Sequence, residues 1–247
     1  MAPRLDSSAR RMAILDAALP LFARKGFAAT TTKEIAQAAG VSEALIFKHF
    51  PSKTSLYQAI FLSCIDNDPE YARLVALPSS TATLVQLVQA LVSYFVIEVP
   101  TDPEERARHR LALYSLLEDG EFMRLVYDGL YERFHPAFAA SIRAAEACGD
   151  LVGGPVEAGT GLWMADHLCS MMASICLSGR SLVTYSCERP ALARQTTWFI
   201  LRGLGMRDEA IAAQEGSERF PNVSLDPSLD PNASPIIATQ HDCGKPE

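Results

Sequence analysis

Residues 31–50 of this chain read TTKEIAQAAGVSEALIFKHF and decide its fold, because they specify two short helices joined by a tight turn. Thr31 and, three places later, Glu34 form the pattern of a capping box, in which the hydroxyl and the carboxylate each accept a hydrogen bond from the other residue's backbone amide. Gly40 stands where the end of a helix needs a positive φ, and Ser42 is placed to cap the next helix. The stretch therefore predicts a helix-turn-helix.

The second helix of this motif, predicted over residues 43–50, has one apolar face and one outward face. Leu45, Ile46 and Phe50 can face inward at helical spacing. A recognition helix lies in the major groove with its N-terminal residues over the base edges, so the opposite face is predicted to meet DNA. The outward residues are Glu43, Ala44, Phe47, Lys48 and His49.

Helices are predicted on both sides of the motif. Upstream, apolar residues recur at helical spacing from Ile14 to Phe22, and the pattern stops at Gly26. Downstream, Ser52 is placed to cap another helix, and Lys53 is expected to lie exposed beside that helix N-terminus, where a lysine meets phosphate. A helix-turn-helix with matched flanking helices is a more specific pattern than the motif alone.

Charge is divided unevenly along the chain. Its 247 residues contain 22 basic and 29 acidic side chains, a net charge of −7. Residues 1–65 hold eight basic and four acidic residues and carry +4, which leaves −11 on the remainder. Positive charge is therefore confined to the predicted DNA-reading part, and any DNA affinity should fall steeply with salt. Arg10 and Arg11, just before the first predicted helix, are candidates for an arm that reaches phosphate or the minor groove, with a solvated basic tail as the alternative.

Composition and the absence of catalytic motifs limit the classes of protein that the sequence can represent. An apolar content of 49% suffices for a substantial core. Because the chain has neither a long apolar run nor a signal-peptide pattern, we expect a cytoplasmic protein with no membrane partner. The six cysteines contain no CxxC pair, which is typical of reduced thiols. No catalytic motif such as a nucleophile elbow or HExxH is present, so no enzyme, cofactor or metal site is predicted. A metal sensor would need His109, His135 or His167 to converge with carboxylates or thiols.

The rest of the chain predicts helices, since no long run alternates with period two. We expect an all-α protein with a three-helix helix-turn-helix domain at residues 1–66 and a helical body at residues 67–213. Residues 214–247 are rich in Pro, Asp, Ser and Asn and are expected to be disordered. Residues 68–80 are expected to form a polar connector. The predicted body helices are residues 81–99, ended by Pro100, and residues 103–118, 121–147, 156–182 and 190–204.

Several of these motifs resemble the TetR/AcrR family of bacterial one-component transcriptional regulators. They are Gly26-Phe27, the Thr-rich helix start, Ile35-Ala36, Ala39-Gly40-Val41-Ser42, Leu45-Ile46-Phe47, His49-Phe50 and Ser52-Lys53. The resemblance implies an all-α homodimer with an N-terminal DNA-binding domain and a C-terminal helical effector-binding and dimerisation domain. The positions that match the family's usual contacts with a double-stranded DNA operator are Thr32, Ser42, Glu43, Ala44, Phe47, Lys48, His49 and Lys53.

Two of these positions depart from the family's common pattern. Tyrosine is frequent at position 47, where its hydroxyl reaches a phosphate, and Phe47 cannot donate that hydrogen bond. Lysine, arginine or glutamine is frequent at position 43, whereas Glu43 repels phosphate and could accept only from a cytosine amino group. The sequence alone therefore does not decide whether Phe47 and Glu43 contact DNA.

Aromatic and flexible side chains gather in the predicted body helices and favour a pocket for a small apolar or aromatic effector. Trp163 and His167 are one helical turn apart, so they could present a ring and a hydrogen-bonding nitrogen together. Core packing is the alternative for each of these side chains, because long helices need apolar stripes anyway. The candidate ligand-binding residues are Tyr94, Tyr114, Tyr127, Trp163, His167 and Met171.

The resemblance and these residues together predict a ligand-responsive repressor that its effector releases from a palindromic operator. An activator of the same fold is one alternative, since the outcome depends on where the operator lies relative to a promoter. A helical protein-interaction module that no longer reads DNA is another, and it is motivated by Glu43 and Phe47 on the reading face.

Overall fold

The computed structural model describes residues 7–66, 69–118, 120–178 and 182–214. Its N-terminal part, called the head below, contains α1 (Ser7–Ala29), α2 (Thr32–Ala38), α3 (Glu43–His49) and α4 (Lys53–Asp66). Helix α1 is interrupted at Gly26, whose φ of 75° lies in the left-handed region that glycine adopts without strain. The predicted helix-turn-helix and the stop at Gly26 are both confirmed.

The part that follows, called the body below, is also helical. Among the described residues, β structure is confined to one isolated antiparallel bridge between Leu151 and Met206, so the all-α prediction is confirmed. The body elements are α5 (Pro69–Val75), α6 (Thr81–Ser93), a π-helical turn (Tyr94–Glu98), α7 (Val99–Thr101), α8 (Pro103–Leu117), α9 (Glu121–Ala147), α10 (Ala158–Ser174), α11 (Arg189–Gly203) and α12 (Asp208–Gln214).

The body differs from the sequence prediction in four places. The predicted connector contains α5, and α12 was not predicted at all. Pro100 does not end its helix, because it lies in the first turn of α7, where the N–H that proline lacks would have no helical partner. Helix α10 ends at Ser174 rather than at residue 182, and turn residues 175–178 follow it. The first residue of the predicted disordered tail, Gln214, is the last residue of α12, and the rest of that tail lies outside the described residues.

The buried core of the head is completed by the body. Phe22 of α1 is fully buried and packs edge-on against Tyr57 of α4, with 4.9 Å between ring centroids. Tyr57 in turn contacts Phe122 of α9 at 4.7 Å, and Leu111 of α8 is buried in the same cluster. The four head helices therefore share one hydrophobic cluster with α8 and the first turn of α9.

Hydrogen bonds hold α9 in place at this junction. The N-cap position of α9 is Gly120, which has no side chain to cap the helix. The buried hydroxyl of Ser115 on α8 replaces the missing cap, since it accepts hydrogen bonds from the backbone amides of Phe122 and Met123, both at 3.1 Å. The start of α9 is thereby positioned by α8.

The centre of the body is the segment Thr81–Thr101, which comprises α6, the π-helical turn and α7. By length and composition it could span a membrane, with a mean hydropathy of 1.7, but 61% of its apolar window is buried inside the protein. Neighbouring helices cover it on most sides, and a helix that is apolar on most of its surface is what such a position requires.

Candidate nucleic-acid interface and effector site

The first helix of the motif begins with the predicted capping box. Thr31 Oγ1 accepts from the Glu34 amide at 3.2 Å, and Glu34 Oε2 accepts from the Thr31 amide at 3.0 Å. Lys25 Nζ also donates to Glu34 Oε1 at 2.5 Å. The bond from Lys25, followed by those from Thr31, lowers the pKa of Glu34 to about 2. The carboxylate therefore stays ionised at physiological pH and keeps the start of α2 capped.

The turn between α2 and α3 has the predicted chemistry. Gly40 has a φ of 64°, and a side chain there would meet no atom within 4 Å, so backbone conformation alone requires glycine. Ser42 caps α3 by accepting from the Leu45 amide at 3.2 Å. Local interactions thus fix the angle at which α3 leaves the turn.

Helix α3 presents the two faces that its sequence predicts. Ile46 and Phe50 are buried, with Leu45 half-buried beside them. Phe47 is 46% exposed, which is unusual for a large aromatic side chain. Among the predicted DNA contacts, the exposed residues are Ser42, Glu43, Ala44, Phe47 and Lys48, and the half-buried ones are Thr32, His49 and Lys53.

Two of the predicted DNA contacts bond to each other. The Thr32 hydroxyl on α2 donates to the Glu43 carboxylate at the start of α3. Glu43 is therefore held in one orientation in the absence of DNA, and the Thr32 hydroxyl is engaged within the head. This bond between neighbouring helices was not predicted from the sequence.

Lys53 does not lie exposed beside its helix as the sequence predicts. Its Nζ turns inward and donates to the carbonyl oxygens of Phe27 at 2.7 Å and Thr30 at 3.0 Å, and it stands 4.2 Å from the centre of the Phe27 ring. Gly26 ends the regular part of α1, so these carbonyls have no helical partner, and the ammonium group satisfies them. Contact of Lys53 with phosphate stays a prediction.

Lys48 and Lys53 are therefore expected to respond differently to replacement by alanine. Lys53→Ala should lower the free energy of unfolding by about 1–2 kcal/mol, because the bonded carbonyls lose a charged donor. Lys48→Ala should change that free energy by less than about 0.5 kcal/mol. It should instead weaken DNA binding and reduce the salt slope by about 1 per subunit. Denaturant unfolding and a salt series of binding isotherms measure both. Equal stability losses for the two variants would contradict this assignment.

The predicted N-terminal arm is part of a helix. Arg10 and Arg11 lie within α1, which begins at Ser7, so the prediction that they precede the first helix is wrong. Arg11 Nη1 donates to the backbone carbonyl of His49 at 3.2 Å, and its guanidinium lies 4.3 Å from the centre of the Phe50 ring. A cation at the C-terminal end of a helix is favourable, so Arg11 stabilises the end of α3.

The structure does not bring the six candidate ligand-binding residues together. Tyr94 donates to Glu105 at 3.0 Å near the π-helical turn. Tyr114 lies at the junction of head and body, where it donates to the Arg24 carbonyl at 3.3 Å. Met171 is 63% exposed on α10. Tyr94 and Tyr114 therefore lie in separate regions of the protein, whereas Met171 lies one helical turn beyond His167 on the exposed face of α10.

The other three form one aromatic group on α9 and α10. Tyr127 meets Trp163 edge-on at 5.1 Å and His167 at 6.0 Å. Tyr131 stacks on Trp163 at 5.6 Å and on His135 at 4.3 Å. The sequence places Trp163 and His167 one turn apart, but it does not indicate that residues of α9 pack against them.

Asp166 belongs to this region and was missing from the candidate set. It lies on the buried face of α10 beside Leu162 and Cys169 and is only 4% exposed. Burial raises the pKa of Asp166 to about 6, with a smaller opposing effect from His167. An acidic residue within an apolar stripe of period 3.6 was the sequence signal that could have identified it.

A second buried titratable group links α8 to α10. His109 is 5% exposed, and its Nε2 lies 3.1 Å from the Ser170 carbonyl and 3.0 Å from Ser174 Oγ. Burial lowers the pKa of His109 to about 4, although the bond to Ser170 acts in the opposite direction. The imidazole is therefore neutral at physiological pH and serves as a hydrogen-bonding link.

Metal ligands are not grouped in the part of the chain that the structure describes, where no three His, Cys, Asp or Glu side chains could share an ion. Cys148, Cys169, Cys176 and Cys187 are free thiols. Burial, followed by the charge of Asp166, raises the pKa of Cys169 to about 12, so this thiol is protonated and packs as a small apolar group.

A capped helix-turn-helix whose second helix has an exposed outward face, joined to a helical body, is typical of bacterial helix-turn-helix regulators. The sequence profile of "Bacterial regulatory proteins, tetR family" matches residues 14–60, which is the part of the head that carries these features. The head therefore resembles the DNA-binding domain of the tetR family over residues 14–60, and the resemblance noted in the sequence is confirmed for this part of the chain.

Relatives and solved structures agree with this assignment. FasR of Mycolicibacterium smegmatis, a transcriptional activator, is 31% identical over 162 residues, or 64% of each chain. YvkB of Bacillus subtilis, an uncharacterized helix-turn-helix regulator, is 57% identical over 47 residues, which are 19% of this chain and 25% of YvkB. The chain thus spans less than two thirds of either relative. The crystal structure of NalD, the secondary repressor of the MexAB-OprM multidrug efflux pump in Pseudomonas aeruginosa, has the same fold, with a TM-score of 0.58, 22% identity and coverage of 82% of this chain and 100% of NalD.

Proposed function

We propose that this protein is a ligand-responsive transcriptional repressor that binds a palindromic DNA operator as a homodimer. The observation that carries the proposal is the outward face of α3, where Lys48 and the 46% exposed Phe47 project from a helix whose start, turn and end are each fixed by hydrogen bonds. A rigid, partly cationic helix of this size fits the major groove. The net charge of +4 on residues 1–65 supports phosphate binding around it.

Dimerisation is supported by exposed apolar side chains on two long body helices. Met164 and Met171 on α10 are 60% and 63% exposed, and Phe199 on α11 is 69% exposed. Exposed apolar surface of this kind indicates a binding partner, and a second copy of the chain would provide a two-fold assembly. Two heads in such a dimer would reach half-sites about 34 Å apart, one turn of DNA.

The junction of head and body supports a response to ligand. Phe122 and Leu111 of the body are buried in the core of the head, and Arg110 on α8 donates to the Leu177 carbonyl, beyond the end of α10, at 2.6 Å. Movement of α10 would therefore displace α8, and α8 would displace α1. An effector that binds the DNA-incompetent arrangement more tightly would release DNA, with an expected coupling of about 1–3 kcal/mol.

Fluorescence polarisation with purified protein and the intergenic DNA that flanks its own gene tests the first step. Binding that resists an excess of unrelated duplex and falls steeply with salt is expected. Lys48→Ala is the matched variant that should lose affinity without unfolding. Weak and equal binding to both duplexes, or binding that is insensitive to salt, would favour the interaction-module alternative over a DNA-reading head.

Activation is a second candidate function, because FasR, the relative with 31% identity, is a transcriptional activator. The two outcomes differ in where the operator lies relative to the promoter, and both use the same head. A reporter fused to the bound promoter decides between them: deletion of the gene should raise expression for a repressor and lower it for an activator.

Glu43→Gln tests whether the Glu43 carboxylate, which accepts a hydrogen bond from Thr32, contacts a DNA base. The amide keeps an oxygen that can accept from Thr32 but loses the charge that repels phosphate, so binding to DNA should tighten several-fold and any preference for cytosine opposite this residue should relax. Binding to operators with single base-pair changes measures both effects. Glu146→Gln removes a charge from the body and should leave base preference unchanged. A uniform loss of affinity in Glu43→Gln would mean that Glu43 acts in another way.

A further inference from the structure

Asp166 is a buried residue whose carboxylate has no hydrogen-bonding partner within the described part of the chain. The residue is 4% exposed, and among the residues that the structure describes no hydrogen bond or ion pair reaches its carboxylate oxygens. Transfer of a carboxylate from water into such surroundings is costly unless a donor or a cation compensates it. With a pKa of about 6, most of the group is nevertheless ionised at neutral pH. The body therefore contains a negative charge that burial disfavours and that the smaller effect of His167 offsets only in part.

Aromatic rings lie beside this charge. Trp163 precedes Asp166 by one helical turn on α10, and Tyr127 of α9 packs edge-on against Trp163 at 5.1 Å. Burial, followed by the charge of Asp166, raises the pKa of Tyr127. Aromatic faces carry partial negative charge and attract cations within about 6 Å of the ring centre.

We propose that Asp166, Tyr127 and Trp163 form a binding site for an organic cation, such as a substituted ammonium or phosphonium ion. The carboxylate would neutralise the charge, and the two rings would contact the apolar substituents. A bare metal ion does not fit, since indole and phenol rings are poor metal ligands and no further carboxylate, thiol or imidazole joins Asp166 in a metal-ligand group within the described residues.

The acidity of the chain outside the head favours the same class of ligand. The net charge of −11 on residues 66–247 attracts cations toward the body and repels organic anions. The site also lies where a ligand could act on DNA binding, because α10 carries Asp166 and, one turn later, Ser170, whose carbonyl bonds to His109 of α8. The assignment of the cation as the effector rests on the proposed function, whereas the cation site itself does not.

Isothermal titration of the full-length protein at pH 7.5 tests the site. The probes are phenyltrimethylammonium and tetraphenylphosphonium, each paired with a neutral compound of similar shape, tert-butylbenzene and triphenylphosphine oxide. At least one cation is expected to bind about tenfold or more tightly than its neutral counterpart, and Asp166→Asn should remove that difference. Asp166→Glu, which keeps the charge, should retain a preference for the cation. Circular dichroism establishes that each variant folds.

Tryptophan fluorescence locates the bound probe, because the chain contains only Trp163 and Trp198. A change in emission on binding should persist in Trp198→Phe and disappear in Trp163→Phe. The proposal is overturned if neither cation binds more tightly than its neutral counterpart, if Asp166→Asn leaves the preference intact, or if the signal comes from Trp198.

The probe is then added to the complex of the protein with its DNA. Cation binding together with loss of DNA affinity supports both the site and the proposed function. Cation binding that leaves DNA affinity unchanged supports the cation site but contradicts the proposed response of DNA binding to the ligand. DNA binding with no cation binding contradicts the site alone.

Discussion

Replacement of Phe122 by alanine is expected to lower the free energy of unfolding by about 3–5 kcal/mol. Phe122 belongs to a body helix, yet it is 4% exposed within the core of the head and contacts Tyr57 at 4.7 Å. Its backbone is fixed by the Ser115 hydroxyl, so the surroundings cannot easily collapse into the cavity that the substitution leaves. The head should lose stability although none of its own residues has changed.

Denaturant unfolding at a fixed protein concentration measures this loss, since the midpoint of a dimer depends on concentration. Leu117→Ala is the matched control, because Leu117 lies nearby on α8 but is 84% exposed. It should change stability by less than about 0.5 kcal/mol. A Phe122→Ala variant as stable as Leu117→Ala would contradict a shared core between head and body.

Replacement of Asp166 by asparagine is expected to stabilise the ligand-free protein at neutral pH. The pKa of Asp166 is about 6 in the folded protein and 3.8 for an ordinary aspartate, so ionisation costs folding free energy. This cost is absent below about pH 4 and complete above about pH 6. Asp166→Asn should therefore raise the free energy of unfolding by about 3 kcal/mol at pH 7–8 and by little at pH 4.

The comparison has to be made between the two proteins at each pH. His109 has a pKa of about 4 when folded, below its ordinary 6.5, so stability is lost in both proteins as the pH falls through this range. The groups near Asp166 are His167, Tyr127 and Cys169, and all remain in the variant. Glu132→Gln, an exposed change on α9, should have no such pH-dependent effect. A difference between Asp166→Asn and the parent protein that does not vary with pH would contradict the prediction.

The helix-turn-helix could be predicted almost residue by residue. Thr31, Glu34, Gly40 and Ser42 each have in the structure the role that their spacing predicts. The hydrogen bonds that form these caps and the turn join residues at most five apart, so a short stretch of sequence contains both partners. The long body helices could be predicted for a similar reason, because the periodicity of apolar residues is also a local pattern.

Which of the candidate effector-binding residues lie together could be predicted only in part, and their contact with an effector stays a prediction. Tyr127, Trp163 and His167 lie together, and Met171 is exposed one turn beyond His167, whereas Tyr94 and Tyr114 are elsewhere. Their positions depend on how α8, α9 and α10 pack, and periodicity does not specify which helix faces which. Asp166 was not included for the same reason, since its significance comes from burial by neighbouring helices.

The sequence by itself determined the helices, the turn that orients α3 and the resemblance of the head to the tetR family, because these depend on residues that are near neighbours along the chain. Only the tertiary structure decided that Lys53 binds carbonyls 23 and 26 residues away, that Phe122 completes the core of the head and that Asp166 is buried. Such features depend on the removal of side chains from water by distant segments, and that removal is a property of the packed protein rather than of any short stretch of sequence.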